Sequence, residues 1–144
     1  MKERFKQILT IHLILINKNN QVLLQRRCNT GYMDNMYAFV SGHLEPKESL
    51  LQGVIREAKE EVNVELEADK VKFVCFIRRA SDNNYINSYF AYKDFDGDII
   101  NMEPEKCSEL KWFDIDKLPD NIIPNDKRAI NNMINNITLD EYEF

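Results

Sequence analysis

The segment from Ser49 to Val62 constrains the fold more than any other part of the chain, because its two faces make opposite demands. Leu51, Val54, Ile55, Ala58 and Val62 fall on one side of a 3.6-residue wheel. Such a stripe has to be buried, and a sheet is the natural surface to pack it on. Ser49 with Gln52 three residues later is a capping-box pattern that sets the start of the helix. The other face reads Arg56-Glu57-Ala58-Lys59-Glu60-Glu61. At 100° per residue, Glu57, Glu60 and Glu61 share one arc of about 100°, so three carboxylates project into the same small volume. Like charges so close repel unless a cation sits among them. Carboxylate oxygens suit hard divalent cations, and Mg²⁺ is commonly shared between a few protein carboxylates and the phosphates of a substrate. A solvated face with an Arg56–Glu60 pair at i,i+4 would show the same residues.

The flanking sequence supplies the strands. Ile8 to Ile16, the turn Asn17-Lys18-Asn19-Asn20, and Gln21 to Gln25 read as a β-hairpin, closed by Arg26 and Arg27. Tyr37 to Val40 is a short strand running into Ser41-Gly42. Val71 to Ile77 and Ser88 to Phe95 read as two more strands, joined through Ser81-Asp82-Asn83-Asn84, and Leu110 to Phe113 as another. After Pro124, Ile130, Met133, Ile134 and Ile137 repeat at helical spacing. The order strands, helix, strands, helix favours an α+β arrangement, a mixed sheet with helices on its faces, over an alternating parallel fold. No repeat or linker divides the chain, so residues 1–144 are expected to form one domain.

Charge narrows the partners. Nineteen Lys and Arg against twenty-four Asp and Glu leave a net charge of -5, without the basic excess that general affinity for a nucleic acid polymer requires. A polyanionic ligand must be met locally, by a few arginines or by metal ions. Cys28, Cys75 and Cys107 form no CxxC or Cys/His array, which predicts neither a disulfide framework nor a zinc site and suits a reducing cytoplasm. Lys2, Arg4 and Lys6 before the apolar run from Ile8 imitate an export signal. Thr10 and His12 interrupt that run, and turn residues follow it directly. Nothing approaches a membrane span in length.

Gly42 follows a strand, and the loop His43-Leu44-Glu45-Pro46-Lys47-Glu48 leads into the helix. This loop can present the Ser41 carbonyl to a metal beside the carboxylates, with Glu48 reaching Arg56. From Gly42 to Val64 the chain resembles the signature of the Nudix hydrolases, G-x5-E-x7-R-E-U-x-E-E-x-G-U, where U is a bulky apolar residue. Gly42, Glu48, Arg56, Glu57, Glu60, Glu61 and Val64 match. Ala58 is smaller than usual, and Asn63 replaces the glycine near the helix end. Asparagine is the next most tolerant residue for a left-handed cap, so this departure bears on stability more than on chemistry.

The resemblance implies a Nudix fold, an α/β/α sandwich around a central mixed sheet. It also implies metal-dependent attack of water on a phosphorus of a nucleoside diphosphate joined to another group. Mg²⁺ or Mn²⁺ would be held by Glu57, Glu60 and Glu61 with the Ser41 carbonyl, and Arg56 would orient the carboxylates. The general base would be Glu57 or a carboxylate of the Glu103 to Glu109 loop, with Glu105 preferred. The stretch Asn101 to Cys107, Trp112-Phe113 and Leu118-Pro119 is similar to the C-terminal half of the MutT-type nucleoside-triphosphate enzymes.

Substrate groups are expected in three places. Arg26 and Arg27 either meet phosphates or blunt a sheet edge, and Arg78 and Arg79 carry the same two readings. His12 either enters a base pocket or is an inner-face histidine satisfied by its neighbours. Asn125-Asp126 stands where the mammalian oxidised-purine triphosphatases contact a base with two acids. One of the pair here is an amide, which argues against oxidised-guanine specificity, and capping of the second helix is the other reading. Arg79 and Asp82 occupy the places of the proline and tyrosine that mark ADP-ribose and dinucleoside-polyphosphate types. The expected function is hydrolysis of a nucleoside triphosphate to monophosphate and pyrophosphate. Alternatives are a nucleotide sugar or other diphosphate-linked substrate, and a nucleotide sensor without turnover. A homodimer is the expected assembly.

Overall fold

The apolar run near the N-terminus becomes β1 (Ile8–Asn17) and lies inside the sheet. In the computed structural model, which describes residues 2–144, β1 pairs in parallel with β6 (Tyr85–Phe95) and antiparallel with β4 (Val40–His43). Ile11, Leu13 and Leu15 pack with Val54, Ala58 and Val62 on one face. Ile14 and Ile16 pack with Ala129 and Ile130 on the other. A strand covered on both faces has no solvent side, so its sequence reads as nearly continuous apolar residues. His12 shares the face of Ile14 by alternation.

The expected hairpin is confined to its tip. Asn17 Oδ1 accepts from the Asn19 and Gln21 N–H groups, and Asn20 takes a φ of 58°. β2 (Gln21–Arg27) then meets β1 only at Ile16 opposite Val22 before pairing with β3 (Tyr37–Ala38) and β7 (Cys107–Asp114). β5 (Lys72–Arg79) runs antiparallel to β6 and parallel to β8 (Leu139–Tyr142). The sheet order is β3-β2-β1-β6-β5-β8, with β4 attached to β1 and β7 to β2. The two helices cover opposite faces, which gives the α/β/α sandwich around a mixed sheet that the sequence predicts.

α1 (Leu50–Val62) begins and ends as its sequence dictates. The Gln52 N–H donates to Ser49 Oγ at 3.0 Å and the Ser49 N–H to Gln52 Oε1 at 2.9 Å, completing the capping box. Asn63 closes the helix in the left-handed region, with φ 57° and ψ 38°. Val54, Ala58 and Val62 are buried, each valine contributing about 1.5–3 kcal/mol. Gly53 is buried with them, and a Cβ there would press on Ile11 Cδ1 and Leu44 Cδ1. The helix thus approaches β1 more closely than a larger residue would allow.

α2 (Pro124–Asn135) departs from its expected stripe. It buries Ala129 and Ile130 together with Asp126 and Asn132, while Ile134 is 60% exposed. Asn136 ends the helix at φ 56°, so Ile137 lies beyond it. β8 was not foreseen because its buried residue is acidic. Asp140 accepts from Arg128 at 2.6 and 2.9 Å and from Asn132 Nδ2 at 2.9 Å, so polar bonds join the packing of Tyr142 against the core in holding the strand. The Tyr37 to Val40 segment splits into β3 and β4, and β4 continues through Ser41-Gly42. Among the described residues no helix is long and apolar enough to cross a membrane.

Candidate active site

Arg56 is the hub. Its Nε and Nη2 donate to Glu48 Oε2 and Oε1 at 2.6 and 2.9 Å. Nη1 donates to Glu57 Oε1 at 2.7 Å and Glu60 Oε2 at 3.2 Å, and Nη2 reaches the His43 carbonyl at 3.1 Å. One planar guanidinium therefore ties the loop before α1 to two carboxylates of the helix, a geometry that lysine cannot reproduce. Its bonds hold the Glu48 carboxyl below the ordinary value.

Glu57 lies against the backbone of Gly42, and a Cβ on Gly42 would overlap its carboxylate. The Glu57 side chain is only 12% exposed. Burial raises its pKa, opposed by Arg56 and reinforced by Glu60 and Glu103. Glu61 Oε2 accepts the Ser41 N–H at 3.0 Å. Burial, then the charges of Glu57 and Glu103, push Glu61 up to about 9. Glu60 stands at the rim, 52% exposed.

Among the described residues no three acidic, His or Cys side chains converge as a closed metal-ligand set. Glu57 and Glu60 turn to Arg56 and Glu61 to Ser41. The donor set nevertheless fits a hard divalent cation. Glu57 and Glu61 offer oxygen donors partly withdrawn from water, each driven toward protonation by burial and by its neighbours' negative charge, which a cation would oppose.

Glu103, on the loop where the sequence favours Glu105, lies near the α1 carboxylates. The Ile100 and Met102 N–H groups donate to the Val62 and Glu61 carbonyls, both at 3.0 Å, which pins the segment before Glu103 to the end of α1. Its charge acts on both Glu57 and Glu61. Glu105 is exposed, and its carbonyl accepts from Cys28 Sγ and Asn29 Nδ2. Main-chain bonds set this placement, and they leave no mark in the sequence.

Gly42 also lines a cavity of about 670 Å³. His12, Tyr89 and Asp126 form one part of its wall, and Arg27, Tyr32 and Arg79 another. The His12 ring stacks on Tyr89 with centroids 4.4 Å apart. Asp126 accepts the Tyr89 hydroxyl at 2.7 Å and the Phe39 N–H at 3.0 Å. Burial raises the Asp126 pKa, and His12 opposes the shift. Burial lowers the His12 pKa, with Asp126 opposing. His12 Nε2 lies 2.9 Å from Thr10 Oγ1 and 3.3 Å from Asn87 Oδ1, while its buried Nδ1 has no hydrogen-bond partner. Histidine 12 is therefore both an inner-face residue and part of the cavity wall.

The remaining candidates divide. Arg27 lines the cavity, whereas Arg26 donates to the Asn35 carbonyl and lies over the Tyr37 ring. Arg78 and Arg79 pair with Glu141 and Glu143, and Arg79 also reaches the cavity. Asn125 donates to Asp82 Oδ2 at 2.8 Å and accepts from the Tyr142 hydroxyl. No side chain caps α2, whose N-cap is Ile123, so capping is not the role of Asn125 or Asp126.

A family model for the NUDIX domain matches residues 6–133, and the chain belongs to that family. Solved structures share its fold. A MutT Nudix hydrolase from Burkholderia pseudomallei superposes with a TM-score of 0.78 at 20% identity, over 88% of this chain and 98% of that one. A bifunctional NMN adenylyltransferase/ADP-ribose pyrophosphatase from Francisella tularensis, complexed with AMP and a Mn ion, gives 0.70 at 18% identity, over 94% of this chain and 43% of that one. Among curated proteins, the NAD-capped RNA hydrolase NudC of Stutzerimonas stutzeri is 27% identical over 74% of this chain and 37% of its own length. That of Vibrio atlanticus is 27% identical over 81% of this chain and 41% of its own. The chain thus spans about two fifths of the length of these relatives.

Proposed function

We propose that the chain is a divalent-metal-dependent pyrophosphohydrolase that converts a nucleoside triphosphate, normal or modified, to its monophosphate and pyrophosphate. The adjacency at Gly42 carries this reading. That residue lies against the Glu57 carboxylate and lines the cavity as well, so a nucleoside in the cavity has its phosphates beside the carboxylates of α1. Glu57, Glu60 and Glu61, with the Ser41 carbonyl, would hold Mg²⁺ or Mn²⁺, which when bound neutralises phosphate charge and acidifies water. Arg56 keeps its fork on Glu48 and fixes where Glu57 and Glu60 stand. A water oxygen bonds to one phosphorus of the α–β bridge, the P–O bond from that phosphorus to the bridging oxygen breaks with its electron pair leaving on the other product, so that monophosphate and pyrophosphate separate, and the water proton passes to a carboxylate. Glu57 or Glu103 would be the acceptor, with Glu105 the alternative on the same loop; the action of the Glu103 charge on Glu57 and Glu61 supports its inclusion. Arg27 offers charge to the phosphates from the cavity wall.

The names of the curated relatives favour a second reading, in which the anhydride cleaved belongs to an NAD-type dinucleotide. One panel separates the two. Nucleoside triphosphates, oxidised and methylated purine forms, NAD, nucleotide sugars and ADP-ribose are incubated with Mg²⁺ or Mn²⁺ and the products identified by mass. Monophosphate with pyrophosphate is the expected result. Two monophosphates from NAD would establish the second reading. Binding without turnover of any compound would overturn both and make the protein a sensor.

A further inference from the structure

The loop between β2 and β3 is tied down far more heavily than an exposed connection needs. Asp34 Oδ1 accepts the Thr30 N–H and hydroxyl, and its Oδ2 accepts the Gly31 N–H at 3.0 Å. Arg27 Nε donates to the Tyr32 carbonyl at 2.9 Å and Nη2 to Thr30 Oγ1 at 3.1 Å. Asn29, Gly31, Met33 and Asn35 all take positive φ, and Met33, at 48°, has neither the freedom of glycine nor the local bonding of asparagine. These bonds hold out an aromatic ring. Tyr32 is 56% exposed, lines the cavity together with Met33, and has the Arg27 guanidinium 5.5 Å from its ring centre. Its hydroxyl is pushed up by burial and by the charge of Asp82 across the cavity, against the pull of Arg27 and Arg79. The side chain therefore belongs to the cavity wall.

A large, half-exposed aromatic ring lining a cavity offers a stacking surface to a flat ligand. We infer that Tyr32 is the stacking face for the heteroaromatic base of the substrate and so a base-binding residue of this cavity. This inference rests on reading the cavity as a nucleoside site. The Arg27 guanidinium against the ring steadies the tyrosine, and the polar wall at Asp82, Asp126 and His12 is left to read the edges of the base. Stacking of this kind accepts any base and favours the larger purine rings.

Equilibrium binding of AMP and GMP, measured by calorimetry without catalytic metal, tests this separately from turnover. Ribose 5-phosphate serves as the ligand that lacks a base. Tyr32→Ala should weaken purine monophosphate binding by about ten- to a hundredfold, while Tyr32→Phe stays within about threefold of the parent. Ribose 5-phosphate binding and the thermal midpoint should not change. Equal affinity of the parent and Tyr32→Ala for AMP and GMP would overturn the inference. So would an equal loss for ribose 5-phosphate, which would mean that Tyr32 supports the loop and not the base. Failure of the parent to bind either monophosphate at millimolar concentration would also overturn it, whatever anhydride the enzyme proves to cleave.

Discussion

Replacing Gly42 by alanine isolates one close approach. Gly42 has no positive φ, so its backbone suits alanine and any penalty must come from the new methyl group. That methyl meets the Glu57 carboxylate, which has to leave its 2.7 Å bond to Arg56. Losing a hydrogen bond between charged groups costs about 1.5–3 kcal/mol. The lower chain entropy of alanine in the unfolded state returns about 0.4–1 kcal/mol. The net expectation is a loss of about 1–2 kcal/mol, read as a lower urea midpoint with an unchanged slope in chelator-containing buffer. In a Glu57→Ala background the obstacle is gone, so Gly42→Ala should be neutral or stabilising by up to about 1 kcal/mol. The cycle should therefore show a coupling of about 2 kcal/mol. An equal penalty in both backgrounds would refute the reasoning and move the constraint to the cavity side of Gly42.

Two other perturbations probe the frame around the site. Arg128 holds the Asp140 carboxyl below its ordinary 3.8, so the stability this pair adds is complete above that pH and drains away as pH falls through the folded value. Asp140→Asn should cost about 1–3 kcal/mol near neutrality, allowing for the half-exposed Arg128, and the gap between the two urea midpoints should close in acid. Asn63→Ala should cost about 1–2 kcal/mol because φ is 57° there, while Asn63→Gly should change stability by less than about 1 kcal/mol. Neither Asn63 variant should alter kcat, as steady-state assays can check.

What the sequence revealed was local. The apolar stripe, the Ser49–Gln52 box, the Asn63 cap and the Arg56–Glu48 partnership all act within a few turns of α1, where side-chain spacing and spatial proximity coincide. Pairing across the chain was less legible. Asn17 to Asn20 showed that the chain reverses, yet β1 takes β6 and β4 as its main partners, a pairing between distant segments that no local residue pattern encodes. The acidic β8 and the polar residues of α2 were hidden because buried polar pairs look like surface residues in a sequence. The sequence offers no ground for setting Glu103 above Glu105, because the bonds that pin the segment before Glu103 to α1 are main-chain bonds.

The central claim is that the α1 carboxylates serve a divalent-metal hydrolysis centre. Turnover of the best triphosphate as a function of Mg²⁺, compared between the parent and Glu60→Gln, tests it most directly. Glu60 is exposed enough for its amide to leave the fold intact, which the urea midpoint verifies. The parent should be inactive in chelator and saturate with Mg²⁺, and Glu60→Gln should lose about 10²-fold or more in kcat at an unchanged midpoint. Equal turnover by the two proteins, or parent activity undiminished in chelator, would contradict the assignment.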